Sequence, residues 1–563
     1  MDFYGNMVSN LNKIDSTSVN LKTLLQWIFN LCTQPDNLMY PIIICSAIFP
    51  IFIGAHASLR CPSSAKATKE YSKKLTMEDV DEDEDNDFIE LLPEVQGLQP
   101  SDALIMPVLA GILLGGLYLL IKWLDDPKLL NSILNWYFSG LGVIGVGKLA
   151  GDSLNVITSF VFPSVWSTKK EIYFIESAIL SQSTGLHMRQ GENHICLKSV
   201  DAKTNPFPGL LSSVQFPISI TSIIWSCREL FTNQWVFRAY IRSFMRTVMP
   251  VRLNDVVGYA LGLVIIIIYN IYAKNWWLNN LIAFGFCYGT LQILSPTTFW
   301  TGSLVLFGLF IYDIMMVFYT PLMITVATSL DVPIKLVFPS PNRQSLSELG
   351  VVSAKPKYGS ILGLGDIVLP GLMIALALRF DLYLHYLSKQ KSHQDTNQNT
   401  LIKPSYTEAT GFWGERFWTS RYQLDTQYEN VFRGGNFKKI YFWTGIFAYV
   451  IGLIVTYFVM RIFEHGQPAL LYLVPGVLFA LWGVAWTRGE ILLMWRYSED
   501  KELEPQDEED RNDTIQPSEK SQNLLEADRV KDETKASDTS LSERKKRHDK
   551  YAERIFSFSL SAR

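Results

Sequence analysis

Nine stretches of this chain are long and apolar enough to cross a bilayer, and no other feature limits its fold as much. A hydrocarbon core takes roughly 20 consecutive apolar residues in helical form. The candidate runs are 39–58, 102–123, 133–163, 258–273, 278–296, 299–328, 361–385, 439–462 and 468–487. The third and sixth exceed one span, so each is expected to carry an arm outside the hydrocarbon. Composition agrees: 48% of residues are hydrophobic and only 18% charged, against about 25% charged in a typical soluble protein. The charge is also uneven, because the acidic and basic residues crowd into 501–550. The expected fold is an all-α polytopic membrane bundle of nine transmembrane helices.

Flanking charge sets the expected orientation, since Lys and Arg favour the cytosolic side. Arg60, Lys66, Lys69, Lys73 and Lys74 follow the first run, while only Lys13 and Lys22 precede it. The N-terminus is therefore expected in the lumen and the 60–101 loop in the cytosol. Nine crossings then put the C-terminus in the cytosol. The basic segments 164–257 and 386–438 fall on that same side. Residues 1–20 are polar and Leu21–Cys32 is short and interrupted, so the first span is expected to serve as its own signal anchor. The acidic run Glu78–Asp87 and the tail after Arg496 are too polar to offset ordering entropy and are expected to be disordered. In the tail, Arg544–Arg547 reads as a solvated basic cluster. Residues 234–249 place Phe237, Ile241, Phe244 and Val248 at helical spacing beside Arg238, Arg242 and Arg246. That spacing predicts a connector or interfacial helix before span four.

Several chemistries fail on spacing. A net charge of −4 gives no basic surplus for nucleic acid. Six cysteines without a CxxC indicate neither a disulfide framework nor a zinc knuckle. Gly140–Gly145 matches GxGxxG, and Gly142–Lys148 nearly matches a P-loop, but Leu149 stands where Ser or Thr is required. Both lie inside an apolar run, where Gly147 and Gly151 suit close helix packing instead. There is no HExxH and no GxSG, and His385 reads as an interface residue. No metal or cofactor is implied.

The intramembrane acids remain. A charged side chain in a span costs about 2.5–3.5 kcal/mol on insertion scales, which makes each a functional suspect. Asp152 has Lys148 one turn away and reads as half of an ion pair. Asp313 and Asp366 have no nearby cation in their own spans. With a helix break at Pro321, Asp313 should lie about 12 Å below the break, and Asp366 about 7–9 Å into a helix starting near Ser360. Two carboxyls at one level share a proton and can hydrolyse a peptide bond with water alone. Gly363 and Gly365 keep bulk away from Asp366 so that a substrate backbone can approach. Pro468 opens the ninth run and Pro475 disturbs its first turns, an interruption tolerable only against protein or a polar cavity.

At Tyr312-Asp313, Gly363-Leu364-Gly365-Asp366 and Pro468-Ala469-Leu470, the chain resembles the signal peptide peptidase family, relatives of the presenilins. Pro333–Pro339 and Leu376–Asp381 add to the likeness, which covers roughly 255–490. The resemblance implies an intramembrane aspartyl endopeptidase of the endoplasmic reticulum that cleaves transmembrane helices of type II orientation. Its implied substrates are remnant signal peptides, tail-anchored proteins and quality-control membrane proteins. It implies catalysis by Asp313 and Asp366, with Tyr312, Gly363, Gly365, Pro468, Ala469 and Leu470 shaping the site. Implied partners are substrate helices, the bilayer and degradation factors of the endoplasmic reticulum, with oligomerisation open. A luminal N-terminus is the inverse of the presenilin branch. The expected organisation is a luminal segment 1–38 and a region 39–253 with helices one to three and cytosolic loops 60–101 and 164–253. A catalytic membrane region 254–487 follows, with helices four to nine and the cytosolic insertion 386–438, and a disordered charged tail 488–563 ends the chain. Two rivals stay open from sequence: a proton-coupled transporter using the paired aspartates, and an inactive scaffold that binds helices. Against the transporter stands the lack of a recognisable inverted repeat.

Overall fold

The computed structural model describes residues 39–66, 96–124, 128–168, 203–241, 245–271, 275–320, 332–338, 360–394, 403–420, 434–463, 467–499 and 556–562, with short stretches at 172–197 and 322–326. Every apolar run becomes a helix: α1 Met39–Ala57, α2 Pro100–Trp123, α3 Lys128–Val161, α4 Leu253–Ile271, α5 Trp276–Ile293, α6 Phe299–Phe318, α7 Gly365–Gln394, α8 Ile440–Phe463 and α9 Leu470–Thr487. Eight of these are long and apolar enough to span a bilayer. The remaining one, α5, has 18 residues and packs between α1 and α3. Its apolarity is lowered by Asn279 and Asn280, whose amides bind backbone elsewhere: Asn279 donates to Lys335 O at 2.7 Å, and Asn280 both donates to Val337 O and accepts from Val337 N.

The axis of the bundle is α7. Its apolar run surrounds the helix, and Leu372–Leu378 are at most 4% exposed, as expected of a helix with no polar face. It packs against α1, α5, α6, α8 and α9. A second group, α3 with α4 and α5, closes through glycine. A Cβ on Gly258 would lie 2.4 Å from Gly151 N, and one on Gly262 would lie 2.9 Å from Gly147 N. The glycines of the P-loop-like run are therefore packing surfaces. Nearby, Lys148 pairs with Asp152 at 3.0 Å, and Tyr288 donates to the same carboxylate at 2.7 Å.

Several connections meet one another outside the helices. Strand β1 (Gln96–Leu98), after the first long loop, pairs in parallel with β4 (Leu294–Pro296) in the short α5–α6 connection. Lys66 bridges to Ser405, and Thr298 to Ser498. Part of the 386–438 insertion docks on the end of α3, where Gly414 N donates to Ser159 Oγ and Trp418 Nε1 to Phe160 O. At about 1.5 Å per residue, the 34-residue α3 is about 51 Å long, which is why it can carry this dock beyond the hydrocarbon.

Three sequence expectations change. Residues 234–252 form strands β2 (Gln234–Ile241) and β3 (Met245–Arg252) instead of a helix. The segment is rich in Trp, Val, Phe, Tyr and Ile, which suit a strand, and its helical spacing of apolar residues is coincidental. The tail is not disordered throughout. A helix spans Ile491–Arg496, Glu499 is 4% exposed, and the final strand β7 (Phe556–Ala562) pairs antiparallel with β2. Residues 360–363, expected to open span seven, lie ahead of its helix, which starts at Gly365. The segment Glu78–Asp87, Arg544–Arg547 and Asn512 lie outside the described residues.

Candidate active site

Asp313 sits on α6, five residues before the helix ends. At about 1.5 Å per residue it lies about 7.5 Å from that end, closer than a break at Pro321 predicts. It is 6% exposed, and its Oδ2 has no hydrogen-bond partner. Charged residues that packing merely tolerates are normally paired. This one is not.

Asp366 reaches the same place by a different route. Residues 360–363, which the sequence predicts as helix, form strand β6 (Ser360–Gly363), antiparallel to β5 (Lys335–Phe338). The ladder runs on through Leu364 N to Ile334 O. Leu364 O then accepts from Ile367 N at 3.1 Å and Val368 N at 2.9 Å, so the strand turns directly into α7. Asp366 falls in the first turn of that helix. Its carboxyl is close enough to Asp313 for their charges to interact. A Cβ on Gly363 would stand 3.4 Å from Asp366 Oδ2, while one on Gly365 would meet nothing within 4 Å among the described residues.

The third element is the start of α9. Ala469 is its N-cap, and Pro468 and Leu470 are buried. The first four N–H groups of a helix have no partner within it. One of them, Leu470 N–H, lies near enough to Asp313 to act on its carboxyl. Pro468 thus begins a helix whose free amide end meets an acid on another span.

Tyr312 faces elsewhere. Its hydroxyl donates to Ala110 O on α2 at 3.4 Å, so it ties α6 to α2 instead of reaching toward Asp366. The structure therefore brings together Asp313, Asp366, Gly363, Gly365 and Pro468–Leu470, with Tyr312 on the adjoining surface. The β5–β6 pair has no counterpart in the sequence reading. Asn279 and Asn280 hold it, and the available signal was two polar residues in an otherwise apolar run. The sheet has two strands, so β6 has an unpaired edge among the described residues beside Asp366. Among the described residues, no group of three or more His, Cys, Asp or Glu could hold a metal.

Two unpaired acids on neighbouring membrane helices, flanked by glycine and a broken helix start, belong to the class of intramembrane aspartic endopeptidases. Comparison with known proteins names the family. Residues 92–501 match the signal peptide peptidase family model, and the chain belongs to that family. It is 26% identical to human signal peptide peptidase over 482 residues, covering 84% of this chain and 89% of the relative. Identity to the mouse signal peptide peptidase is 27% over 468 residues, covering 83% and 85%. Over 249 residues it is 33% identical to intramembrane protease 2 of Caenorhabditis elegans, 44% of each chain. No solved structure matches. The protein is a multi-pass intramembrane aspartyl protease.

Proposed function

We propose that Asp313 and Asp366 are the catalytic dyad of this protease and that its substrates are type II transmembrane helices in the endoplasmic reticulum. The observation that carries the assignment is a pair of acids from α6 and α7 within charge range, with no cation beside them among the described residues and with the Leu470 amide near Asp313. Two carboxyls this close share one proton. We assign the base to Asp313, which lies beside the free amide end of α9, and the acid to Asp366. Asp313 takes a proton from water as the water oxygen attacks the scissile carbonyl carbon. Asp366 gives its proton to the carbonyl oxygen. The resulting gem-diol collapses as Asp313 gives its proton to the amide nitrogen, a diol hydroxyl returns a proton to Asp366, and the C–N bond breaks.

A helix hides its scissile carbonyls in its own hydrogen bonds, so the substrate must unwind first. The free edge of β6 offers main-chain partners to an extended segment, as in strand-addition recognition. Gly365 leaves room beside Asp366, and Pro468–Leu470 line the facing side. On this reading, 254–487 is the catalytic membrane region, and remnant signal peptides, tail-anchored proteins and degradation substrates are its targets, with degradation factors as partners.

The deciding experiment incubates purified protein with a labelled type II helix and identifies products by mass. Wild type should give paired fragments cut within the membrane segment, and Asp366→Ala none. Robust proteolysis by Asp366→Ala would sink the dyad. The proposed orientation, N-terminus luminal and C-terminus cytosolic, follows the Lys and Arg asymmetry. It predicts that the sequon Asn512-Asp513-Thr514 stays unmodified in cells, and glycan on Asn512 would reverse it.

A further inference from the structure

The second helical turn of α7 contains Pro370. In a regular helix the carbonyl of residue i accepts from the N–H of residue i+4. Position i+4 from Asp366 is Pro370, which has no N–H. The Asp366 carbonyl therefore lacks its regular i+4 donor. In a membrane interior a freed backbone group persists only where a neighbour satisfies it. Here the neighbour is Tyr449 on α8. Its side chain is fully buried, and its hydroxyl donates to Asp366 O at 3.3 Å. Gly445, one turn earlier on α8, allows the approach, since a Cβ there would sit 3.1 Å from Ile374 Cγ1 on α7.

We propose that Tyr449 is a positioning residue that substitutes for the hydrogen bond lost at Pro370 and thereby fixes the turn from which the Asp366 carboxyl projects. The inference rests on the assignment of Asp366 to the dyad. The hydroxyl touches the backbone of Asp366 and takes no part in proton transfer. Its effect is on where the carboxyl stands relative to Asp313, and geometric placement of that kind governs turnover more than substrate binding. Pro370 contributes by making this turn depend on a tertiary contact in place of a local one.

The arrangement supplies its own rescue. Pro370→Ala restores an N–H four residues after Asp366, and the carbonyl has two lone pairs, so the single variant should cleave like wild type. Tyr449→Phe removes the hydroxyl that donates to Asp366 O from the other helix. It should lower kcat about tenfold with KM changed by less than about twofold. The double variant Tyr449→Phe/Pro370→Ala should recover to within about twofold of Pro370→Ala. A residue needed only for packing would not be rescued by a backbone amide on another helix.

The assay is cleavage of the labelled type II helix by purified full-length protein in detergent, with kcat and KM fitted separately. Wild-type kcat in Tyr449→Phe overturns the proposal, as does a double variant at least fivefold slower than Pro370→Ala. If Tyr449→Phe does not accumulate, the comparison of the double variant with Pro370→Ala decides alone by the same threshold. Asp366→Ala runs alongside. Activity in that variant removes the dyad itself, whereas its silence together with an unaffected Tyr449→Phe removes only the role of Tyr449.

Discussion

The middle and the N-terminal end of the central helix α7 treat charge in opposite ways. Midway along the helix, Arg379 is 4% exposed and every arm of its guanidinium is used: Nε binds Glu499 at 2.5 Å, and the two terminal nitrogens donate to Ser58 and Ser295 at 2.7 Å each. Arg60 binds the same Glu499, and Ser295 donates to it at 2.6 Å. Two residues on, Asp381 accepts from Tyr441 N and Phe442 N and caps the start of α8. At the N-terminal end, about 20 Å away at 1.5 Å per residue, Asp366 faces another acid. Both places contain buried or half-buried ionisable groups. One set is neutralised by partners from four parts of the chain, and the other, on the proposed assignment, is left reactive. The difference separates charge that holds a membrane protein together from charge kept for chemistry.

The largest effect should come from the reactive end. Asp313→Ala and Asp366→Ala should each abolish cleavage, with the double variant no worse than either, because parts of one catalytic unit are not additive. Each removes a buried acid without a countercharge, so accumulation should stay near wild type. Additive losses in a product-formation assay would show two independent sites and break the comparison.

Next is the third element of the site. Pro468→Leu lets α9 extend backwards by giving position 468 an N–H and removing the fixed ring. Cleavage should fall by at least about tenfold, a barrier increase of roughly 1.4 kcal/mol, with near-normal expression. Full activity would make the proline a mere helix start.

The paired middle should respond in stability. Glu499→Ala strands the Arg379 guanidinium in a buried place, a loss of roughly 3–5 kcal/mol for a broken buried pair. Thermal unfolding in detergent should report it, while the folded fraction keeps its turnover number. Burial alone would raise the Glu499 carboxyl, but Arg379 and Arg60 outweigh it and hold it below the usual range. A depressed folded-state pKa stabilises above the ordinary carboxylate range and is lost as pH falls through the lowered value. The pair is therefore intact at neutral pH and fails only in acid. A Glu499→Ala protein as stable as wild type at pH 7 would contradict this.

The smallest effects compare two glycines. Gly258→Ala pushes a methyl against the backbone of Gly151 and should destabilise by about 1–3 kcal/mol. Gly365→Ala meets nothing among the described residues, so melting should be unchanged while cleavage slows. Equal melting losses in both variants would mean that the space beside Asp366 is not reserved for substrate.

The nine apolar helices were legible because helical crossing is written in run length, and the Lys148–Asp152 pair because it is local, at i and i+4. Asp313 and Asp366 stood out for the complementary reason: no local cation exists for either. Pro468–Leu470 was legible as an interruption, but its amide contact with Asp313 was not, because that depends on α6 and α9 meeting. The strand ahead of Asp366 was missed for the same reason. Ser360–Gly363 is extended only because β5 pairs with it, and β5 is held by asparagines more than fifty residues away.

Length of apolar run, flanking charge and the missing cations are properties of short windows, so the amino-acid sequence by itself determined the bundle, its expected orientation and the two suspect acids. Which buried groups would be satisfied was decided by tertiary structure alone. Arg379 finds Glu499 120 residues later, β2 finds β7 near the far end of the chain, and the Asp366 carbonyl finds the hydroxyl of Tyr449. Hydrogen-bond satisfaction in a water-free interior depends on the neighbours that packing supplies, and a local sequence pattern does not carry that information.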